Sequence, residues 1–197
     1  IMRTYGITKT TNNPKTSFSL NIDGTGKTKV KTGCDFLDHM FEVVAKYANF
    51  DIYITCENVS KQYDAFHIVE DVASLFGTSF RETLGDKHGI RRFADCYLPI
   101  DDALILAVAD IAGGAYVKLD VALEKTMIGD FDTQFLESFF IVFARNAGVT
   151  LHVKEISGSN VHNVVEGCFK ALARVLRDAS AFEAPAKIEL PTTKSGF

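Results

Sequence analysis

The sequence has no long basic run, no Cys-x-x-Cys pair, no low-complexity segment and no uninterrupted apolar stretch of bilayer length. Each absence removes a class of function. With 21 Lys and Arg against 25 Asp and Glu, the formal net charge is -4. That balance disfavours a nucleic-acid groove, which needs a positive face. The longest apolar stretches, such as "LILAVADIAGGAYV", are broken and fall short of the roughly 20 residues of a membrane helix. The opening "IMRTYGITKTT" lacks the apolar core of a signal peptide, so the expected location is the cytoplasm. Cys34, Cys56, Cys96 and Cys168 sit in apolar or mixed patterns. They read as reduced, mostly buried thiols, with two disulfides as the alternative.

What is present is a large apolar fraction and an internal duplication. At 197 residues and 47% hydrophobic, the chain can bury one sizeable core. "FLDHMFEVVAKYANFDIYI" (36–54) lines up without gaps on "FLESFFIVFARNAGVTLHV" (135–153). Phe36 meets Phe135, Phe41 meets Phe140 and Ala48 meets Ala147. "FHIVEDVASLF" (66–76) then lines up on "HNVVEGCFKAL" (162–172), with a loop of different length between the blocks. One domain over residues 1–197, made of two pseudo-repeats at about 15–92 and 97–182, is the expected organisation. A break, "GDKHGIRRFADCYLPIDD", separates them.

Each half reads as ββαβα. "TSFSLNID" and "TKVKTG" form an expected hairpin across "DGTG", as do "LILAVADIAG" and "AYVKLDVAL" across "GG". An amphipathic helix, a strand and a second helix follow. The expected fold class is α+β, an internally duplicated ββαβα repeat with two sheets and helices packed between them. "DGTGKT" is not a phosphate loop, because Asn21 stands where the first glycine belongs and no helix pattern follows.

The chemistry concentrates in two helical phrases. Residues i, i+3 and i+4 share a helix face, so an H-H-x-x-E phrase presents imidazoles and a carboxylate together. Such mixed N and O donors suit Mn, Fe or Zn. Here the first phrase supplies Phe66, His67 and Glu70, and the second supplies His162, Asn163 and Glu166. Recurrence at equivalent places in a duplicated chain favours ligands over ordinary helix residues. His39 and His152 lie nearby in the pattern, while His88 reads as a surface residue. "PIDDAL" offers Asp101 and Asp102, of which one at most serves a given site. Arg91, Arg92, Lys170, Arg174 and Lys194 supply cations, and Thr192, Thr193 and Lys194 in "TTKS" could hold a phosphate.

Over essentially its whole length the chain resembles the imidazoleglycerol-phosphate dehydratase family. The resemblance is carried by "DGTGKTKVKTGCDFLDHM", "DAFHIVEDVASLFG", "GIRRFADCYLPIDDAL", "GDFDTQFLESFF", "LHVKEISGSNVHNVVEGCFKALAR" and "LPTTKSG". It implies a metal-dependent hydro-lyase of L-histidine biosynthesis that converts imidazoleglycerol phosphate to imidazole-acetol phosphate. It also implies Mn, with Zn or Fe as alternatives, at sites where subunits meet. The implied assembly is a homo-oligomer of trimers, a 24-subunit cage, with neither nucleic-acid nor membrane partners. Glu70, Glu166, Lys170 and Asp101 take the catalytic positions; Arg92, Asn160, Thr192, Thr193 and Lys194 take the substrate and phosphate positions. His39, His67, Glu70 and His162 form one implied metal set, and His152 with Glu166 a second, reduced one.

The chain departs from the family pattern at named places. Phe66 and Asn163 each replace one histidine of a double-histidine phrase. Asn13 stands at the place of an N-terminal glutamate, and Gly114 at that of an arginine. One or two metals per subunit are therefore expected. The departures add a second expectation, a catalytically impaired member that binds a phosphorylated ligand or serves in assembly.

Overall fold

The computed structural model describes residues 2–10, 14–57 and 64–183. Asn13, Thr192, Thr193 and Lys194 lie outside the described residues. The first half comprises β1 (Thr4–Thr10), β2 (Lys15–Asn21), β3 (Thr28–Lys31), α1 (Asp35–Ala48), β4 (Asp51–Glu57) and α2 (Ala65–Leu84). The second comprises β5 (Phe93–Ile100), β6 (Ala103–Asp110), β7 (Tyr116–Asp120), a short pair β8 (Met127–Ile128) and β9 (Phe131–Asp132), α3 (Phe135–Ala147), β10 (Thr150–Ser157) and α4 (Val161–Ser180).

Two four-stranded mixed sheets result, with strand orders β1-β2-β4-β3 and β5-β6-β10-β7. The orders match position for position, so the duplication in sequence is a duplication in topology. In each sheet the last-placed strand runs parallel to its neighbour, β3 to β4 and β7 to β10, and the remaining pairs are antiparallel. Helices α1 and α3 are the crossovers that a parallel pair requires.

The expected β2–β3 and β6–β7 hairpins do not form. Their strands flank β4 and β10 instead, and the true hairpins are β1–β2 and β5–β6. The reason is visible at Asp51, the first residue of β4. Its Oδ1 accepts the N–H groups of Thr25 and Lys27 at 2.8 and 2.9 Å, turning "DGTG" into an arch over the end of β4. Gly24 permits this approach, since a Cβ there would lie 2.5 Å from the Asp51 nitrogen. In the second half Gly113 donates to the Gly148 carbonyl at 2.9 Å, seating the "GG" arch on the end of α3. Strand β5 falls within the segment that reads as a break, because Asp95 and Pro99 interrupt it and Gly, Asp and Arg crowd its flanks.

The helices pack between the sheets and against one another crosswise: α1 on α4 and α2 on α3. Each half's first helix thus meets the other half's second helix. Phenylalanines fill the interior. Phe76 lies 4.6 Å from Phe143 and 5.7 Å from Phe18, and Phe139 lies 4.9 Å from Phe169, ring centre to ring centre. All five of these rings are buried. Burying such a ring is worth about 1.5–3 kcal/mol. Gly77 lets α2 and α3 touch: a Cβ there would press into the Phe143 carbonyl and come within 2.8 Å of the Asn146 Cβ. No helix among the described residues is long and apolar enough to cross a membrane.

Candidate metal centre

The α1–α4 contact brings three donors together. Among the described residues His39, His162 and Glu166 are the group of three whose ligand atoms all lie within 4.8 Å of one another. His162 and Glu166 are one turn apart on α4, with Nε2 to Oε2 at 3.0 Å. His39, on α1, places Nε2 3.8 Å from the same oxygen. Two atoms each about 2.1 Å from one ion, at 90–110° to each other, lie about 3.0–3.4 Å apart. The first distance matches that spacing and the second exceeds it by a few tenths of an ångström. The donor set therefore fits a divalent ion with mixed N and O preference, and leaves positions for other ligands.

Glu166 is fixed as a carboxylate. Burial pushes its pKa upward, but the Lys170 hydrogen bond and charge, then His162 and His39, outweigh burial and hold it below the ordinary glutamate value. Lys170 Nζ lies 2.8 Å from Glu166 Oε1, one turn further along α4. Burial would lower the Lys170 pKa, yet Glu166 raises it, helped by Tyr47, whose ring lies 5.0 Å beneath the ammonium. His162, Glu166 and Lys170 thus form an i, i+4, i+8 ladder, with Glu166 bridging the imidazole and the ammonium.

The start of α4 is held from the β5–β6 turn. Asp102 Oδ2 accepts Ser159 N–H at 2.6 Å, Ser159 Oγ–H at 2.8 Å and Asn160 N–H at 2.9 Å. Asp102 Oδ1 accepts Asn163 Nδ2–H at 2.9 Å. These donors, Asn163 foremost, hold the Asp102 carboxyl far below the usual carboxylate range. Asn163 is thereby spent on Asp102, and Asn160 is the N-cap, accepting Asn163 N–H at 3.2 Å. Asp101 is exposed in the turn with φ 47. Sequence reasoning weighed the two acids and favoured Asp101; the signal for Asp102 would have been its approach to "SGSN" across a chain separation that no local pattern reports.

The other candidates stand apart from the cluster. His67, on α2, accepts its place from the cap: its N–H and Nδ1 lie 3.0 and 2.7 Å from Asp64 Oδ1. Glu70 is half-buried one turn on. His152 faces outward on β10, with its ring 5.6 Å from Tyr116. Arg92 reaches Asp110 through Nε at 2.7 Å and Nη2 at 3.2 Å, its guanidinium 4.6 Å over Phe93.

The crosswise α2–α3 contact is the counterpart of the α1–α4 contact, and it carries different side chains. His162 receives the edge of Phe36 at 5.5 Å. In the equivalent place Phe66 meets Phe135, also at 5.5 Å. Ser138 aligns with His39. Of the second cluster only Glu70 remains.

Comparison with known proteins agrees with this architecture. The profile of the imidazoleglycerol-phosphate dehydratase family matches residues 32–176. The chain belongs to the imidazoleglycerol-phosphate dehydratase family. Its relatives include the imidazoleglycerol-phosphate dehydratase of Azorhizobium caulinodans, 40% identical over 196 residues, covering 100% of this chain and 99% of that protein. That of Acidiphilium cryptum is 41% identical over 192 residues, covering 98% and 97%. The crystal structure of imidazoleglycerol-phosphate dehydratase from Staphylococcus aureus superposes with a TM-score of 0.81 at 30% identity, covering 91% of this chain and 99% of that one. The Pyrococcus furiosus enzyme, in complex with (S)-C348, superposes at 0.79 and 30% identity, covering 95% and 98%. The duplicated two-sheet fold is that of the family.

Proposed function

We propose that this chain is a hydro-lyase of L-histidine biosynthesis that dehydrates imidazoleglycerol phosphate to imidazole-acetol phosphate. The observation that carries the reading is the convergence of His39, His162 and Glu166, with Lys170 beside them, in a chain about 40% identical along its length to proteins of that name.

The reaction expels the hydroxyl of the carbon bearing the imidazole as water and takes the proton from the next carbon, which keeps its own hydroxyl. The enol so formed tautomerises to the ketone. Loss of the ring N–H proton leaves negative charge on the imidazole, which drives out the hydroxyl on the attached carbon. His39, His162 and Glu166 would hold the divalent ion, Mn first, with Zn or Fe as alternatives. When bound, that ion supplies Lewis-acid stabilisation to the ring's developing charge. Lys170, kept protonated by Glu166, stands ready as a cationic donor beside the site. Arg92 and Asn160 are assigned to the substrate's phosphate end, with Thr192, Thr193 and Lys194.

The site is completed by a second copy of the chain. His67 and Glu70 lie on a surface helix turn outside the cluster, and in this reading they enter the site of a neighbouring subunit, Glu70 as a proton-transfer group. His152 also faces outward. The outer face of the second sheet supports association: Phe93, Tyr97 and Tyr116 are 56%, 64% and 55% exposed. Trimers assembled into a cage are the proposed form. The Phe66–Phe135 contact further limits the metal complement to one ion per subunit.

The test is turnover of imidazoleglycerol phosphate by purified protein with added Mn, read as ketone formation. Conversion at ordinary enzyme rates, lost in His162→Ala, is expected. A folded, Mn-loaded protein with no turnover would overturn the reading in favour of a non-catalytic family member.

A further inference from the structure

We propose that Asp130 is a positioning residue for this centre: from the β8–β9 hairpin its carboxylate caps α1 and thereby fixes where His39 and His162 stand. The proposal rests on the reading of those side chains as metal ligands.

Helix α1 begins without a cap of its own. Cys34 holds the N-cap position, and its side chain makes no cap hydrogen bond. By contrast, α2 and α4 are capped by the residues directly before them, Asp64 and Asn160. First-turn N–H groups have no partner within a helix and must find one. For α1 the partner comes from the other half of the chain. Asp35 N–H donates to Asp130 Oδ2 at 2.6 Å and Phe36 N–H to Oδ1 at 3.1 Å, while the Cys34 thiol lies 3.4 Å from Oδ1. Burial works to raise the Asp130 pKa, but these donors outweigh it and hold the carboxyl below its ordinary value. A carboxylate at this end also complements the helix dipole.

The hairpin that carries Asp130 is itself anchored. Phe131 is buried, with its ring 5.2 Å from Phe36 and 5.7 Å from Phe135. Thr133 Oγ accepts Thr126 N–H at 3.1 Å and donates to the Glu124 carbonyl at 2.9 Å. Phe36 is therefore gripped twice, its backbone by Asp130 and its ring by Phe131. That same ring meets His162 edge-on at 5.5 Å. His39 follows on the next turn of α1, beside Asp38, which is tied to Thr32. One hairpin thus sets both imidazoles through Phe36 and the start of α1. A cap local to the β3–α1 turn would fix α1 to its own sheet alone, whereas Asp130 registers it to the second half, which also carries α4. The tie runs one way. In the gapless register Lys31 takes the place of Asp130, and α3 begins at Gln134 without a side-chain cap.

The test compares Asp130→Ala, Asp130→Asn and Asp132→Ala. Asn keeps one acceptor oxygen, and Asp132 belongs to the same hairpin but accepts Gln134 N–H instead. Two quantities are read on metal-free full-length protein: the rate of diethyl pyrocarbonate modification at each histidine, by peptide mass spectrometry, and Mn affinity. In Asp130→Ala the rates at His39 and His162 rise several-fold relative to His88 and His152, in Asp130→Asn by less, and in Asp132→Ala they keep the wild-type ratio. Mn affinity falls in the same order, by about tenfold or more for Ala, the usual cost of losing an outer support. Wild-type rates at both histidines in every folded Asp130 variant overturn the proposal. A wild-type protein that takes up no Mn ends the metal reading alone, and the histidine rates still decide the role of Asp130.

Discussion

Phe66 rests against Phe135 at the same 5.5 Å ring spacing at which His162 rests against Phe36. The two pairs occupy equivalent corners of a duplicated fold, one wholly apolar and one bearing an imidazole. Burying a phenylalanine where its twin carries an imidazole stabilises the α2–α3 contact and removes a donor. Protein saturated with Mn and freed of excess is expected to hold close to one ion per subunit by inductively coupled plasma mass spectrometry. Phe66→His, which restores a donor beside Glu70, should raise that figure. A wild-type content near two would show that the apolar corner does not exclude metal.

The Glu166–Lys170 pair makes stability depend on pH in a defined direction. The folded pKa of Glu166 lies below its ordinary 4.5. Its contribution is therefore fully present above 4.5 and is lost as pH falls through the lower folded value. Thermal melts of the wild type and Glu166→Gln should differ at and above about pH 4.5 and converge as pH falls below it. Convergence already near neutral pH would mean that the pair is not formed.

At Gly77 the backbone of α2 lies directly against the Phe143 carbonyl of α3. Gly77→Ala must displace the Phe143 carbonyl, and overpacking of this kind costs about 1–3 kcal/mol. A lower melting temperature is expected, with Mn affinity retained at temperatures where the variant is folded, because the α1–α4 contact is untouched. An unchanged melt would show that the helices part at no cost.

These expectations mark what could be read from the chain before folding. The phrases around His67 and His162 were legible because helical period places i, i+3 and i+4 residues together, and the duplication made each phrase support the other. The Glu166–Lys170 step is likewise local. Strands β1 and β5 were not recognised as strands, since the polar outer face of β1 resembles a loop and Asp95, Pro99 and the Gly- and Arg-rich flank mask β5. The hairpins were misplaced because glycine turns report a bend, not which strand the chain rejoins. Asp102 and Asp130 act across chain separations that leave no periodic trace, so their roles emerge only when the halves are packed.

Asp102 predicts a local effect. Asp102→Ala strips four acceptor contacts from Ser159, Asn160 and Asn163. Hydrogen exchange should quicken through residues 159–163, and Mn affinity should fall because His162 lies in that turn. Unchanged exchange there would show that Asn160 alone suffices to hold the start of α4.

The four cysteines are free, Cys34 and Cys168 buried and the other two half-buried. Burial pushes the Cys34 thiol up to about 12 and Cys96 to about 11, and raises Cys56 and Cys168 as well. Thiolate is the reactive form. Ellman's reagent should therefore react slowly with native protein at mildly alkaline pH and rapidly once it is denatured; rapid native labelling would contradict the packing described.

The most direct measurement is a titration of metal-free protein with Mn, following unbound ion by electron paramagnetic resonance, for the wild type, His39→Ala and His162→Ala. Saturable uptake by the wild type, weakened about a hundredfold or more in each variant while both keep the wild-type fold, is the expected result. Wild-type affinity in either folded variant would place the ion elsewhere and contradict the assignment of this centre.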